Sequence, residues 1–172
     1  MKRILLSAIT TVVLFACGTK TETTNSSAAY PANATGYNLD STENIATLKR
    51  INEAAAAGDT SVAKASYVDS AVVFDNGKLQ TLKENVAMIP MLKSKGITMH
   101  TDKYEAIWET VNNKANEIGI KNYVFAYENV SFTKADKKIV LTVFQAAAFN
   151  KDGKIVREWD VYDASALAEL LK

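Results

Sequence analysis

The chain predicts an α+β domain built around a mainly antiparallel sheet, and three observations carry that prediction. Apolar residues recur at helical spacing in the part of the domain that precedes Gly96. Four stretches rich in β-branched and aromatic residues fill the chain after it. Short polar turns such as "KADK" and "NKDG" separate those stretches, leaving no room for a crossover helix, so neighbouring strands must pair as hairpins.

The elements follow in order. At the N-terminus Lys2 and Arg3 precede the apolar run "ILLSAITTVVLFA", a pattern expected of an export signal and too short for a permanent membrane span. The residues "LFAC" resemble the lipobox of bacterial lipoproteins, which implies cleavage after residue 16 and a lipid on Cys17. From Cys17 to Asp40 the chain is dominated by Thr, Ser, Asn, Ala and Gly, so residues 17–40 are expected to form a flexible tether. Residues 41–172 then make one domain of about 130 residues. Cys17 is the only cysteine, so the domain has no internal disulfide and depends on a packed core.

Asp40 with Glu43 resembles a capping box, after which Ile45, Leu48, Ile51 and Ala55 lie on one helical face until Gly58. A short helix is expected through "SVAKASY", and a strand at "AVVFD" ended by "NGK". Leu79, Leu82, Val86 and Ile89 form a further helical stripe that Pro90 should kink or end. The four later strands are "ITMHTDKYEAIWETV", "NYVFAYENVSFT", "KIVLTVFQAAAF" and "KIVREWDVYD". The third is apolar at nearly every position, as suits a central strand. In the last, strict alternation places Ile155, Arg157, Trp159, Val161 and Asp163 on one face.

Charge and motif content narrow the function classes. Lys and Arg number 20 against 19 Asp and Glu, interleaved without long runs, so no nucleic-acid footprint or polybasic membrane patch is present. His100 is the single histidine, which leaves no imidazole cluster for a metal. No phosphate loop, paired CxxC, H-E-x-x-H or G-x-S-x-G occurs, and no cofactor is expected.

The stretches "INEAAAAGD", "YVDSAVVFDNG" and "FNKDGKIVREWDVYDASAL" resemble the first helix, first strand and closing strand of the SnoaL-like branch of the nuclear transport factor 2 superfamily. The resemblance implies a cone in which a curved sheet wraps around N-terminal helices and encloses a pocket. It also implies that Asp163 faces that pocket with Arg157 and Trp159 on the same side, where a carboxylate could abstract a proton next to a carbonyl. Asp163 equally suits an N-cap for "ASALAELL", Arg157 an ion pair on the sheet, and Trp159 the core.

Alternation groups His100 with Asp102, Tyr104 and Trp108, and related dehydratases use a histidine in the cone, so His100 is the second candidate base. Tyr67 and Tyr104 are the expected polar partners in the pocket. Two readings stand. One is a lipid-anchored protein of the cell envelope, in the outer membrane of a Gram-negative bacterium, that holds a small apolar molecule or forms a homodimer through its sheet. The other is a cyclase, isomerase or dehydratase with Asp163 or His100 as base.

Overall fold

The structure, a computed structural model, describes residues 36–172. The expected signal segment, Cys17 and the tether up to residue 35 lie outside the described residues. Among those described, no helix is long and apolar enough to cross a membrane.

Seven strands form one sheet in the order β1-β4-β5-β6-β7-β2-β3. The expected tether ends early, because Gly36–Leu39 is strand β1 and pairs antiparallel with β4 (Ile97–Asn112). A Cβ on Gly36 would lie 2.3 Å from the Val111 carbonyl oxygen, so only glycine lets the two backbones approach there. Backbone pairing of β1 with the edge of β4 overrides the loop-like composition of "GYNL".

Helix α1 (Glu43–Ala57) begins at Thr42, whose Oγ1 accepts from the Ile45 amide at 3.1 Å. The capping role expected of Asp40 therefore falls to Thr42, which sits directly before the first turn. Gly58 ends the helix in the left-handed region at φ 81°, where its amide closes onto the last turn. Ile45, Leu48 and Ile51 face the sheet and are buried. Each removes enough apolar area from water to contribute about 2 kcal/mol.

Helix α2 (Ser61–Ser66) leads into β2 (Tyr67–Asp75), which turns through Asn76 and Gly77 into β3 (Lys78–Thr81). Leu79 thus belongs to a strand rather than to the expected helical stripe, and it is exposed. Thr81 and Glu84 form a capping box that starts α3 (Leu82–Val86). A regular helix would need the amide of residue 90 to bond the Val86 carbonyl, which proline cannot do, and the chain breaks at Ala87. Pro90 then sits in the first turn of α4 (Met88–Ser94), where no amide is required of it.

The remaining strands, β5 (Asn122–Lys134), β6 (Lys137–Phe149) and β7 (Ile155–Val161), run antiparallel to their neighbours as the hairpin turns predict. The exception is β2, which pairs parallel with β7 and makes the sheet mixed. The C-terminal helix α5 (Ala164–Leu171) covers one end of the sheet. Leu167 and Leu170 join Leu92, Ile97, Phe132 and Leu141 in an apolar cluster there, while α1 anchors the other cluster with Val73, Val124, Ala147 and Phe149.

Removing the α1 cap tests the N-terminal boundary. Thr42→Ala should lower unfolding free energy by about 1 kcal/mol in urea melts. Asp40→Ala should leave the same melt unchanged, and the opposite ranking would return the cap to Asp40.

Candidate functional site

Two strands change face partway along. In β4 the pairing with β5 slips between Thr101 and Lys103 and again between Tyr104 and Ala106. Each slip adds one residue and flips the side-chain direction. Met99 and Thr101 therefore point inward, as do Tyr104, Ile107 and Glu109 after the bulges, while Trp108 stacks on Phe125 on the outer face. In β7 the slip opposite Ala148 and Phe149 lies between Ile155 and Arg157. Ile155 is buried in the core, and beyond the bulge the inward residues are Glu158 and Asp160.

The sheet and helices enclose a cavity of about 170 Å³. Its walls are mostly apolar, with Leu82, Leu92, Met99, Phe132, Leu141 and Val143 among them. Across this apolar space runs a chain of polar side chains. Asn52, on the sheet-facing side of α1, sends Nδ2 to Tyr104 Oη at 3.1 Å, to Gln145 Oε1 at 3.0 Å and to Glu128 Oε1 at 3.3 Å. Gln145 Nε2 donates to Glu158 Oε1 at 3.2 Å, and the Tyr67 hydroxyl donates to Glu158 Oε2. Beyond Glu158 the chain continues through Asp160 and Asp75, cross-strand partners, to Tyr162.

Burial sets the protonation of this chain. Glu128 is pushed up to about 7, first by desolvation and then by the neighbouring Glu158. Desolvation also raises Glu158, and it raises Asp160 well above the carboxylate range with the Glu158 charge adding to it. Two carboxyls in one apolar site do not both ionise readily, so the Glu158 charge adds to the cost of ionising Asp160. Tyr67 is pushed well above its ordinary value, first by burial, so it stays a donor to Glu158. Burial likewise lifts Tyr104 to about 12. The arrangement can hold a polar group against several acids and can take up or release a proton near neutral pH at Glu128.

Known proteins bear on this geometry only through their structures. No protein-family model matches the chain, and no curated protein matches it. Among solved structures, an LEH-like epoxide hydrolase from M. tuberculosis superimposes with a TM-score of 0.55 at 15% identity, over 75% of this chain and 89% of that one. A candidate SnoaL-like polyketide cyclase from Shewanella putrefaciens gives 0.55 at 10% identity, over 76% and 97%. A protein of unknown function from Burkholderia pseudomallei, described as nuclear transport factor 2-like, gives 0.54 at 14% identity, over 77% and 99%. The fold is nuclear transport factor 2-like. This identification confirms the α+β cone and the SnoaL-like resemblance at the level of fold.

Within this nuclear transport factor 2-like domain the expected site residues divide. Tyr67 lines the cavity, and Tyr104 joins its polar chain through Asn52. Asp163 does not face the pocket. It is exposed and caps α5, its Oδ1 accepting from the Ser165 amide at 2.9 Å, and that hydrogen bond lowers its pKa. Arg157 and Trp159 lie on the outer face, where Trp159 stacks on Phe74 at 5.9 Å and the guanidinium sits 5.7 Å from the indole. His100 is exposed on that outer face too, paired with Ser131. In β7 the bulge moves Arg157 and Trp159 to the outer face, whereas His100 precedes both β4 bulges and faces outward because Met99 and Thr101 on either side of it take the inward positions.

The residues that reasoning from sequence missed are Asn52, Glu128, Gln145, Glu158, Asp160 and Asp75. A signal for them existed. Glu128 and Gln145 interrupt otherwise apolar strands, and Glu158 with Asp160 is the alternate set in "REWDVYD".

The raised acids have a consequence for stability. In the unfolded chain Glu128 titrates near 4.5, whereas in the folded protein it titrates near 7. Its contribution is fully present below the unfolded value and is lost as pH rises through the folded value. Stability should therefore fall between pH about 4.5 and 7 by on the order of 3 kcal/mol from this group. Glu128→Gln should flatten that slope in melts across the range, and an unchanged slope would place the titration elsewhere.

Proposed function

We propose that this chain is a lipid-anchored protein of the bacterial cell envelope whose cone binds a small molecule with an apolar body and one polar end. The observation that carries the binding reading is the cavity itself, apolar over most of its wall and crossed by the buried chain from Tyr104 to Tyr162. A purely structural core would gain by replacing such buried acids with apolar groups, since their desolvation opposes folding. Their presence around open space favours a ligand that uses them. A cavity near 150 Å³ lined by apolar groups accepts benzene, so a ligand of roughly six to ten heavy atoms fits.

One further reading has its own support. Glu128 titrates near neutral pH at the edge of the cavity, beside Tyr104 and Asn52, which suits a general base in cyclase, isomerase or dehydratase chemistry. The solved structures of similar fold include proteins described as an epoxide hydrolase and as a candidate polyketide cyclase, and they support small-molecule chemistry as the class. In this reading Glu128, and neither Asp163 nor His100, takes the proton.

The outer sheet face suits a homodimer contact. Trp108, Phe125, Tyr123 and Phe144 form a stacked row there, with Tyr127, Val140 and Val161 exposed beside it. The anchor reading rests on Lys2, Arg3, the apolar run and "LFAC". No nucleic-acid partner and no cofactor enter the proposal.

Filling the cavity tests binding. Val143→Phe should remove any small molecule that native mass spectrometry detects on the wild-type protein, with the fold retained by circular dichroism. A ligand still bound to a folded Val143→Phe protein would put the site elsewhere. For the anchor, Cys17→Ser should shift full-length protein out of the detergent-extracted membrane fraction, and unchanged fractionation would remove lipidation from the account.

A further inference from the structure

Two oxygens in the cavity wall lack a donor. Oδ1 of Asp75 and Oδ1 of Asp160 are buried and accept no hydrogen bond from the described residues. The two residues stand opposite each other on β2 and β7, and both line the cavity. The other Asp75 oxygen already accepts from Gln80 Nε2 at 3.3 Å, so its side chain is held in place with Oδ1 left over. An unsatisfied buried acceptor is costly, and acids placed directly opposite in a sheet repel when charged. A group that brings hydrogen-bond donors to both oxygens removes the first cost, and a positive charge offsets the second.

The surroundings narrow the class of that group. Among the described residues lining the cavity, four carry carboxyls (Asp75, Glu128, Glu158 and Asp160) and none is Lys, Arg or His. No cation among those lining residues answers them. Nor do the acids converge as a metal site would require, since no group of three His, Cys, Asp or Glu side chains among the described residues could hold an ion. They are instead strung along β5, β7 and β2, beside apolar walls. An alcohol supplies one donor, whereas a primary ammonium supplies three and a full charge.

We propose that the cavity takes a small primary amine, its ammonium bridging Asp75 and Asp160 and its apolar body lying against Met99, Phe132, Leu141 and Val143. The proposal rests on the binding reading above and names the ligand's polar end. The half-buried Tyr162, which burial and Asp75 together keep protonated, stands beside the bridge. The size of the space limits the body to about one aromatic ring or a short alkyl chain.

Calorimetric titration with three probes of nearly equal shape decides this: 2-phenylethylamine, 2-phenylethanol and phenylacetate. The amine should bind at least about tenfold more tightly than the alcohol, and phenylacetate should not bind. Asp160→Asn and Asp75→Asn should each abolish the preference for the amine over the alcohol, with melting temperatures equal to or above the wild type. Equal affinity for amine and alcohol, or tighter binding of phenylacetate, would overturn the amine proposal and leave the pocket reading intact. Failure of all three probes on a protein whose native ligand is also missing by mass spectrometry would overturn both. A variant that does not fold is replaced by the other, and the wild-type ranking of the three probes stands as a test without either.

Discussion

A seven-stranded sheet can wrap around its helices only if it curves, and here the curvature comes with bulges in the long strand β4 and the closing strand β7. Each bulge does two things at once. It increases local twist, and it reverses which side chains face the helix from that point onward. The inward set of β4 changes from Met99 and Thr101 to Tyr104, then to Ile107 and Glu109. In β7 the reversal brings Glu158 and Asp160 inside and sends Arg157 and Trp159 outside. The interior chemistry of the domain is a consequence of that geometry.

The acids so placed are tolerated because they are connected. Asn52 on α1 ties Tyr104, Glu128 and Gln145 together, and Gln145 with Tyr67 holds Glu158 from both sides. A network of this kind in a low-dielectric interior fixes the position of α1 over the sheet as well as its own geometry. Glu109 repeats the device nearer the N-terminus of the helix, accepting from Asn44 at 2.8 Å and from Asn122. Asn44 and Asn122 both donate to Oε1 of Glu109, whereas Oδ1 of Asp75 and Oδ1 of Asp160 have no partner among the described residues.

Closure of the cone depends on its last helix. Asp163 caps the start of α5, and at the other end Lys134 and Lys95 donate to the carbonyls of Leu170 and Leu171 at 2.8 and 2.9 Å. Pinned at both termini, α5 lays Leu167 against the cavity. Asp163 therefore serves the pocket through the helix that covers it, and its carboxylate stays in solvent. The opposite face of the sheet carries the stacked row of Trp108, Phe125 and Phe144, and the proposed reading puts an assembly contact there.

By itself the sequence determined the class of fold, the helix stopped at Gly58, the four long strands and their hairpin order, because periodicity, β-branched content and turn residues act over a few neighbours. Of the two tyrosines expected at the pocket, Tyr67 lines the cavity and Tyr104 reaches its polar chain only through Asn52. The sequence did not reveal β1 or β3, whose short polar or mixed segments become strands only through the edges they pair with. Nor did alternation identify the acids of the site. A bulge costs little locally and leaves no firm mark in the residues that form it, yet one inserted residue exchanges the two faces of everything downstream. Where Glu158 and Asp160 point is decided by which register lets the whole sheet pack on α1, and that is settled only when all seven strands are in place.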